Sequence, residues 1–213
     1  AYAAQRLNAA PAPPVSPNAP TVAVVSPGGY PGTTPTVSPT GEVTITNAAS
    51  FLSGSLGVSH YLVKADNMIG RKLVAKRSTA APNNNWGTPL LDQWQMAWTY
   101  DPDSDDWRKF DIVSHASNIV TASNTGYLDQ DTVYIARRPV FTPARWDAAI
   151  ARWIAHPLTS PTASGGSNYV IGTLPANQYA PQMPLYGFKV GTGPTPFVVT
   201  AGIHSDEHVV GWA

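Results

Sequence analysis

"FTPARWDAAIARWIAHP" (residues 141–157) is the stretch that divides this chain. Thr142 carries the hydroxyl that caps a helix N-terminus, Pro143 brings a fixed φ to the first helical position, and Pro157 ends the run. Trp146, Ile150, Trp153 and Ile154 recur at i, i+4, i+7 and i+8, which predicts one apolar stripe along a helix. It is the clearest helical signal in the 213 residues.

Upstream, residues 42–141 have the rhythm of strands. "EVTIT" (42–46) alternates, "YLVKA" (61–65) and "RKLVAKR" (71–77) flank a turn at Asn67 to Gly70, and "WQMAWTY" (94–100) and "DTVYIARR" (131–138) are rich in β-branched and aromatic residues. Turn clusters such as "PNNNWG" and "DPDSDD" lie between them. Short strands without a helical period predict an antiparallel β-sandwich.

Residues 1–41 are dense in proline, with nine of the 21, as in "PAPPVSPNAP" (11–20) and "VSPGGYPGTTPTVSPTG" (25–41). Proline removes backbone donors, and Ser, Thr and Gly offer little to bury, so the expectation is an extended arm with no core of its own. Its valines and Tyr30 would be the anchors if the arm lies along a protein partner.

Composition bounds the function. Lys plus Arg and Asp plus Glu number 13 each, so the net charge is zero, against a surface made for nucleic acid or anionic lipid. Charged residues are only 12% of the chain, which favours a secreted or particle-associated setting over cytoplasm. There is no cysteine, hence no disulfide or thiol chemistry. No apolar run approaches the ~20 residues of a membrane span.

Downstream of the helix, "NYVIGTL" (168–174), "PLYGFKVG" (184–191) and "PFVVTAG" (196–202) predict strands of an α/β sheet begun in residues 142–213. Gly202 then leads to His204, Glu207 and His208. The carboxyl end of a strand is where open α/β sheets bind ligands. An imidazole and a carboxylate three residues apart suit zinc, which lowers the pKa of a bound water and polarises a carbonyl. "HSDEH" (204–208) also fits the inverted zinc-protease signature, H-x-x-E-H, in which both histidines are ligands. That needs a helix already formed at His204, which Gly202 and the β-branched run before it oppose.

From "YVIGTL" through "PLYGFKVG" to "FVVTAGIHSDE", the chain resembles the opening of the zinc carboxypeptidase family of the M14 type. "DTVYIARRPVFTPARWDAAIARWIAHP" (131–157) is similar to the junction of β-sandwich and first helix in the cytosolic-carboxypeptidase-like branch. The resemblance covers about residues 55–213 and is specific in its last third. It implies a β-sandwich accessory domain (42–141), the N-terminal portion of an α/β peptidase domain (142–213), and His204 and Glu207 as zinc ligands. The implied reaction is hydrolysis of a C-terminal peptide or amide bond by metal-activated water, with a peptide as substrate. His208 falls where the family varies. The family's third ligand and general base come later in its order than Ala213, so the polypeptide as given is expected not to be competent alone. His60, His115 and His156 lie in the wrong part of that order to replace the missing ligand.

Other features read as ordinary surface or core. Asp101, Asp103 and Asp105 alternate as in a calcium loop, but Asp106 stands where glycine is needed and Ile112 where glutamate is, so a solvated hairpin turn is expected. "GRKLVAKR" (70–77) reads as a solvated strand face, and "TASGGSN" and "GTGPTP" lack phosphate-loop spacing. Trp86, Trp94, Trp98 and Trp107 read as core aromatics, with a glycan-stacking platform as the other use. Three classes follow: a zinc carboxypeptidase-like protein, a structural component of a virus or phage particle docking through residues 1–41, and a carbohydrate-binding module.

Overall fold

A computed structural model describes residues 13–25, 33–47, 61–78, 96–116, 119–137, 139–140, 142–161, 169–176 and 182–193. Before the helix come ten strands: β1 (Thr21–Val24), β2 (Thr33–Val37), β3 (Glu42–Asn47), β4 (Leu62–Asp66), β5 (Lys72–Ser78), β6 (Ala97–Thr99), β7 (Arg108–Lys109), β8 (Ile112–Ala116), β9 (Ile119–Tyr127) and β10 (Val133–Ala136). Helix α1 (Pro143–Ala155) is followed by β11 (Thr159–Pro161), β12 (Val170–Leu174), β13 (Met183–Tyr186) and β14 (Phe188–Val190).

Two five-stranded sheets, ordered β1-β4-β10-β6-β7 and β2-β3-β5-β9-β8, face one another. Alternate residues of both sheets meet in one core: Ile45, Leu73, Ala75 and Val120 from the second, Val63, Val133, Ile135 and Trp98 from the first. Each fully buried aliphatic side chain there contributes about 1.5–3 kcal/mol. The first sheet also buries part of its outer face, where Leu62, Ala97 and Ala136 pack with Trp107 and Val140. Ala136 and Val140 of that second cluster lie just ahead of α1 in the chain.

The sandwich is thus present, but it is not purely antiparallel. β3 and β5 pair in parallel, Val43 opposite Ala75, because the strand between them in sequence, β4, belongs to the other sheet. The chain crosses the core twice between β3 and β5 and so returns in the same direction.

The arm expected over residues 1–41 is, in its described parts, built into the sandwich. β1 pairs with β4 at one edge of the first sheet, and β2 pairs with β3 at one edge of the second. Val22 and Val37 pack against the main core and Val25 against the second cluster, so these valines are anchored within this chain. Tyr30 lies outside the described residues. Edge positions tolerate the prolines that a central strand would exclude; Pro35 sits within β2.

Residues 13–19 lie across the turn between β4 and β5. Gly70, at φ 73°, has the Pro14 carbonyl oxygen and the Val15 Cα within 2.7 Å of where a Cβ would stand. The Arg71 guanidinium donates to the carbonyls of Ser16, Asn18 and Pro39, and Asn67 Nδ2 donates to Ala19 O.

The helix forms as its sequence demands. Thr142 is the N-cap, its Oγ1 accepting from Arg145 N at 3.3 Å, and Pro143 follows at the helix start. The predicted stripe is only half buried. Ile150 is buried and Trp146 partly so, whereas Trp153 and Ile154 remain 39% and 36% exposed. After the helix the described residues form two antiparallel pairs, β11 with β14 and β12 with β13. The expected α/β sheet is not seen among them; the third expected strand, residues 196–202, lies outside the described residues.

Candidate functional site

The sequence-predicted ligands His204 and Glu207, with His208, lie outside the described residues, as do His60, Trp86 and Trp94. The described residues nearest to them in the chain belong to α1 and the strands after it. Trp153 of α1 stands edge-on to Trp146, with centroids 6.1 Å apart, and edge-on to Phe188 of β14 at 5.8 Å. Phe188 in turn meets Tyr169 and Tyr186. This aromatic chain ties the helix to the strands that run toward residue 194. Tyr169 takes a left-handed φ of 63°, and its carbonyl accepts from Gly187 N, which aligns the ends of β12 and β13.

His156 serves as the C-cap of α1. Its backbone N–H donates to Trp153 O, and its Nδ1 accepts from Leu158 N at 3.2 Å, so it closes the helix. His115 lies in β8 opposite Val120. Among the described residues no group of three His, Asp or Glu side chains is placed to hold a metal ion. The donor set predicted at His204 and Glu207, one imidazole and one carboxylate, suits zinc chemically but is a partial set.

The acidic loop between β6 and β7 is a hairpin turn, as expected, but not merely a solvated one. Asp101 Oδ1 accepts from Asp103 N, and Asp106 pairs with Arg108 at 2.6 Å. Asp103 Oδ1 accepts from the Thr142 hydroxyl, and Asp105 pairs with Arg145. The carboxylates are thereby spent on separate protein donors and do not converge on a cation. Two of them fasten the sandwich to the first turn of α1. No sequence motif signals this, because the partners stand 39 and 40 residues apart.

"GRKLVAKR" is a strand face of mixed use. Leu73, Ala75 and Arg77 point inward and are buried, while Lys76 pairs with Glu42 across β3. Trp98 and Trp107 are 7% and 9% exposed, so they are core residues and not a stacking platform. Two tyrosines have hydroxyls pushed up to about 12. For Tyr61 the cause is complete burial, opposed by Arg77 and Arg137; for Tyr100 it is burial reinforced by a hydrogen bond with the Asp129 carboxylate.

No protein-family profile matches the chain, and no curated protein matches it. Solved structures do. The chain is similar to a metallo-carboxypeptidase from Burkholderia cenocepacia, at 15% identity and a TM-score of 0.54, over 82% of this chain and 41% of that one. A protein described as a carboxypeptidase from Burkholderia mallei ATCC 23344 shares 13% identity over 66% of this chain and 34% of its own, at a TM-score of 0.45. Another, described as a carboxypeptidase A from Shewanella denitrificans OS-217, shares 17% over 65% and 32%, at 0.37. Only the first is near enough in shape to argue from, and at that identity it speaks to fold alone. Its 82% coverage exceeds what residues 42–141 could fill, so the likeness extends beyond the region expected as the sandwich. The fold is carboxypeptidase-like, and the chain spans about two fifths of that protein's length.

Proposed function

We propose that this chain is the N-terminal portion of a zinc metallocarboxypeptidase-like protein, with residues 42–141 as an accessory domain that β1 and β2 extend at its edges and residues 142–213 opening the peptidase domain. The observation that carries this reading is the fold likeness to the Burkholderia cenocepacia metallo-carboxypeptidase. The "GIH-x-x-E" pattern of residues 202–207 supports it independently. The finer assignment, to the cytosolic-carboxypeptidase-like branch, rests on the junction "DTVYIARRPVFTPARW".

In this reading His204 and Glu207 donate an imidazole nitrogen and a carboxylate to zinc, and the family order places the remaining ligand and the general base after residue 213. When bound, the metal would supply a nucleophilic water at neutral pH and polarise the scissile carbonyl of a C-terminal peptide or amide bond. The Asp103–Thr142 and Asp105–Arg145 contacts fix the start of α1, and the Trp153–Phe188 contact carries that position to β14.

The test is metal analysis of the protein purified from its native source, with the intact mass measured on the same sample. The expected result is one zinc per chain, lost on His204→Ala, together with release of C-terminal residues from blocked peptides. A native protein without zinc would overturn the reading.

A further inference from the structure

Each five-stranded sheet ends in two edge strands, and three of the four edges carry a feature that deters a further strand. Pro20 directly precedes the short β1, Pro35 lies inside β2 without a backbone donor, and β7 is only Arg108 and Lys109. The fourth edge, β8, holds no proline, lysine, arginine or carboxylate, and its pairing with β9 has no bulge. Its other side pairs with no strand among the described residues.

The register shows what this edge presents. Ala116 stands opposite Ile119, with only Ser117 and Asn118 between them in the chain. A connection that short closes on a pair exchanging both backbone hydrogen bonds, and such pairs recur at every second residue. Ala116, Ser114 and Ile112 thus spend their N–H and C=O groups on β9, and the backbone of Val113 and His115 faces outward. The side chains divide the other way. Val113 packs against the core, whereas Ile112, Ser114, Ala116 and Ile119 lie on the outer face, with Ile112 and Ile119 55% and 42% exposed.

These two patterns select a second copy of β8, set antiparallel about a two-fold axis at Ser114. Val113 of one copy then exchanges backbone hydrogen bonds with His115 of the other. Ser114 meets Ser114, and Ile112 meets Ala116, in the non-hydrogen-bonded pairs where side chains stand closest; each such pair has a small member. Ile119, Ala116 and the second copy's Ile112 form one apolar row across the joint, and the axis repeats it. Charge does not oppose this. The two Asp111 residues that flank the paired strands stand six residue steps apart, about 20 Å, beyond the Debye length of about 8 Å in physiological salt. Five residues a side are far fewer than the roughly 20–30 of a standard interface, so the association belongs to the weak, concentration-dependent class.

We propose that β8 is a self-association edge: two copies of this chain join β8 to β8 about Ser114 and merge their β2-β3-β5-β9-β8 sheets into one continuous sheet. The proposal does not rest on the peptidase reading.

The experiment is sedimentation velocity of the full chain over a concentration series. A monomer–dimer equilibrium with a Kd of about 10–100 µM is expected. Ser114→Lys and Ser114→Glu each set like charges directly opposite one another at the axis, so each should raise the Kd about tenfold or more, and an equimolar mixture of the two should restore dimerisation. Ser114 is exposed, so both variants should fold, which thermal melts check. Thr36→Lys, on the far edge of the same sheet, should leave the Kd unchanged. A monomer at every concentration, the result if another part of the chain covers β8, would overturn the proposal. So would a dimer that the Ser114 variants leave intact, or a mixture of the two that stays monomeric.

Discussion

Arg145, in the first turn of α1, places Nη2 2.5 Å from Asp105 Oδ1 in the β6–β7 hairpin, joining the helix to the sandwich. The arginine side chain is 6% exposed and the aspartate 80%, so the pair stands at the rim of the junction and water screens one end of it. Burial works against the guanidinium's charge, and Asp105 and Asp103 only partly offset this, so the Arg145 pKa falls below its ordinary value.

Because of that screening, the coupling between Arg145 and Asp105 should be modest. A double-mutant cycle with Arg145→Ala and Asp105→Ala, read by urea denaturation, is expected to give about 1 kcal/mol. A coupling indistinguishable from zero would mean that the contact does not hold the helix in place.

Thr142 caps α1 and also donates to Asp103. Thr142→Ala should therefore cost about 1–2 kcal/mol of stability, and Thr142→Ser should recover most of it. Equal melting of wild type and Thr142→Ala would contradict the capping geometry.

The turn beneath residues 13–19 predicts a sharper loss. Gly70→Ala forces a side chain into a left-handed backbone and against the Pro14 carbonyl oxygen at 2.7 Å. A cost of about 2 kcal/mol or more is expected, since strain and displacement of the overlying chain add together. Arg71→Ala removes the guanidinium that grips Ser16, Asn18 and Pro39 without straining the turn. It should expose residues 13–19 to limited proteolysis while the sandwich core keeps its hydrogen-exchange protection.

Asp111 predicts a pH dependence. The Thr125 N–H and hydroxyl hold its carboxyl below the ordinary carboxylate range. The unfolded chain, with a pKa of about 3.9, then binds more protons than the folded one in that interval, so stability rises with pH. The contribution is complete above the unfolded value and is lost as pH falls through the folded one. Melting temperatures of wild type and Asp111→Asn should differ at pH 6 and converge toward pH 2, these being roughly the ends of that window. A constant difference would exclude this origin.

The sequence by itself determined the elements whose stability is local. Thr142, Pro143 and Pro157 mark the helix by capping and by the removal of a donor, and the structure ends α1 at Ala155 accordingly. The strands of "EVTIT", "YLVKA" and "RKLVAKR" were legible because their side chains alternate with the pleat, and the intervening turn bends at Asn67 and Gly70, both at positive φ. The hairpin of β8 and β9 was not legible. Its inward residues Val120, Ala122 and Asn124 include small and polar side chains of weak β-propensity, which only a facing sheet makes suitable.

Tertiary structure alone decided the rest. It set the parallel pairing of β3 with β5, which depends on β4 lying in the opposite sheet, and the use of proline-rich segments as edge strands. It aimed Asp103 and Asp105 at donors some forty residues away rather than at a cation. His204 and Glu207 stand on the other side of this division. Their spacing is a property of the chain, whereas a metal site built on them would depend on a fold that brings further ligands to them.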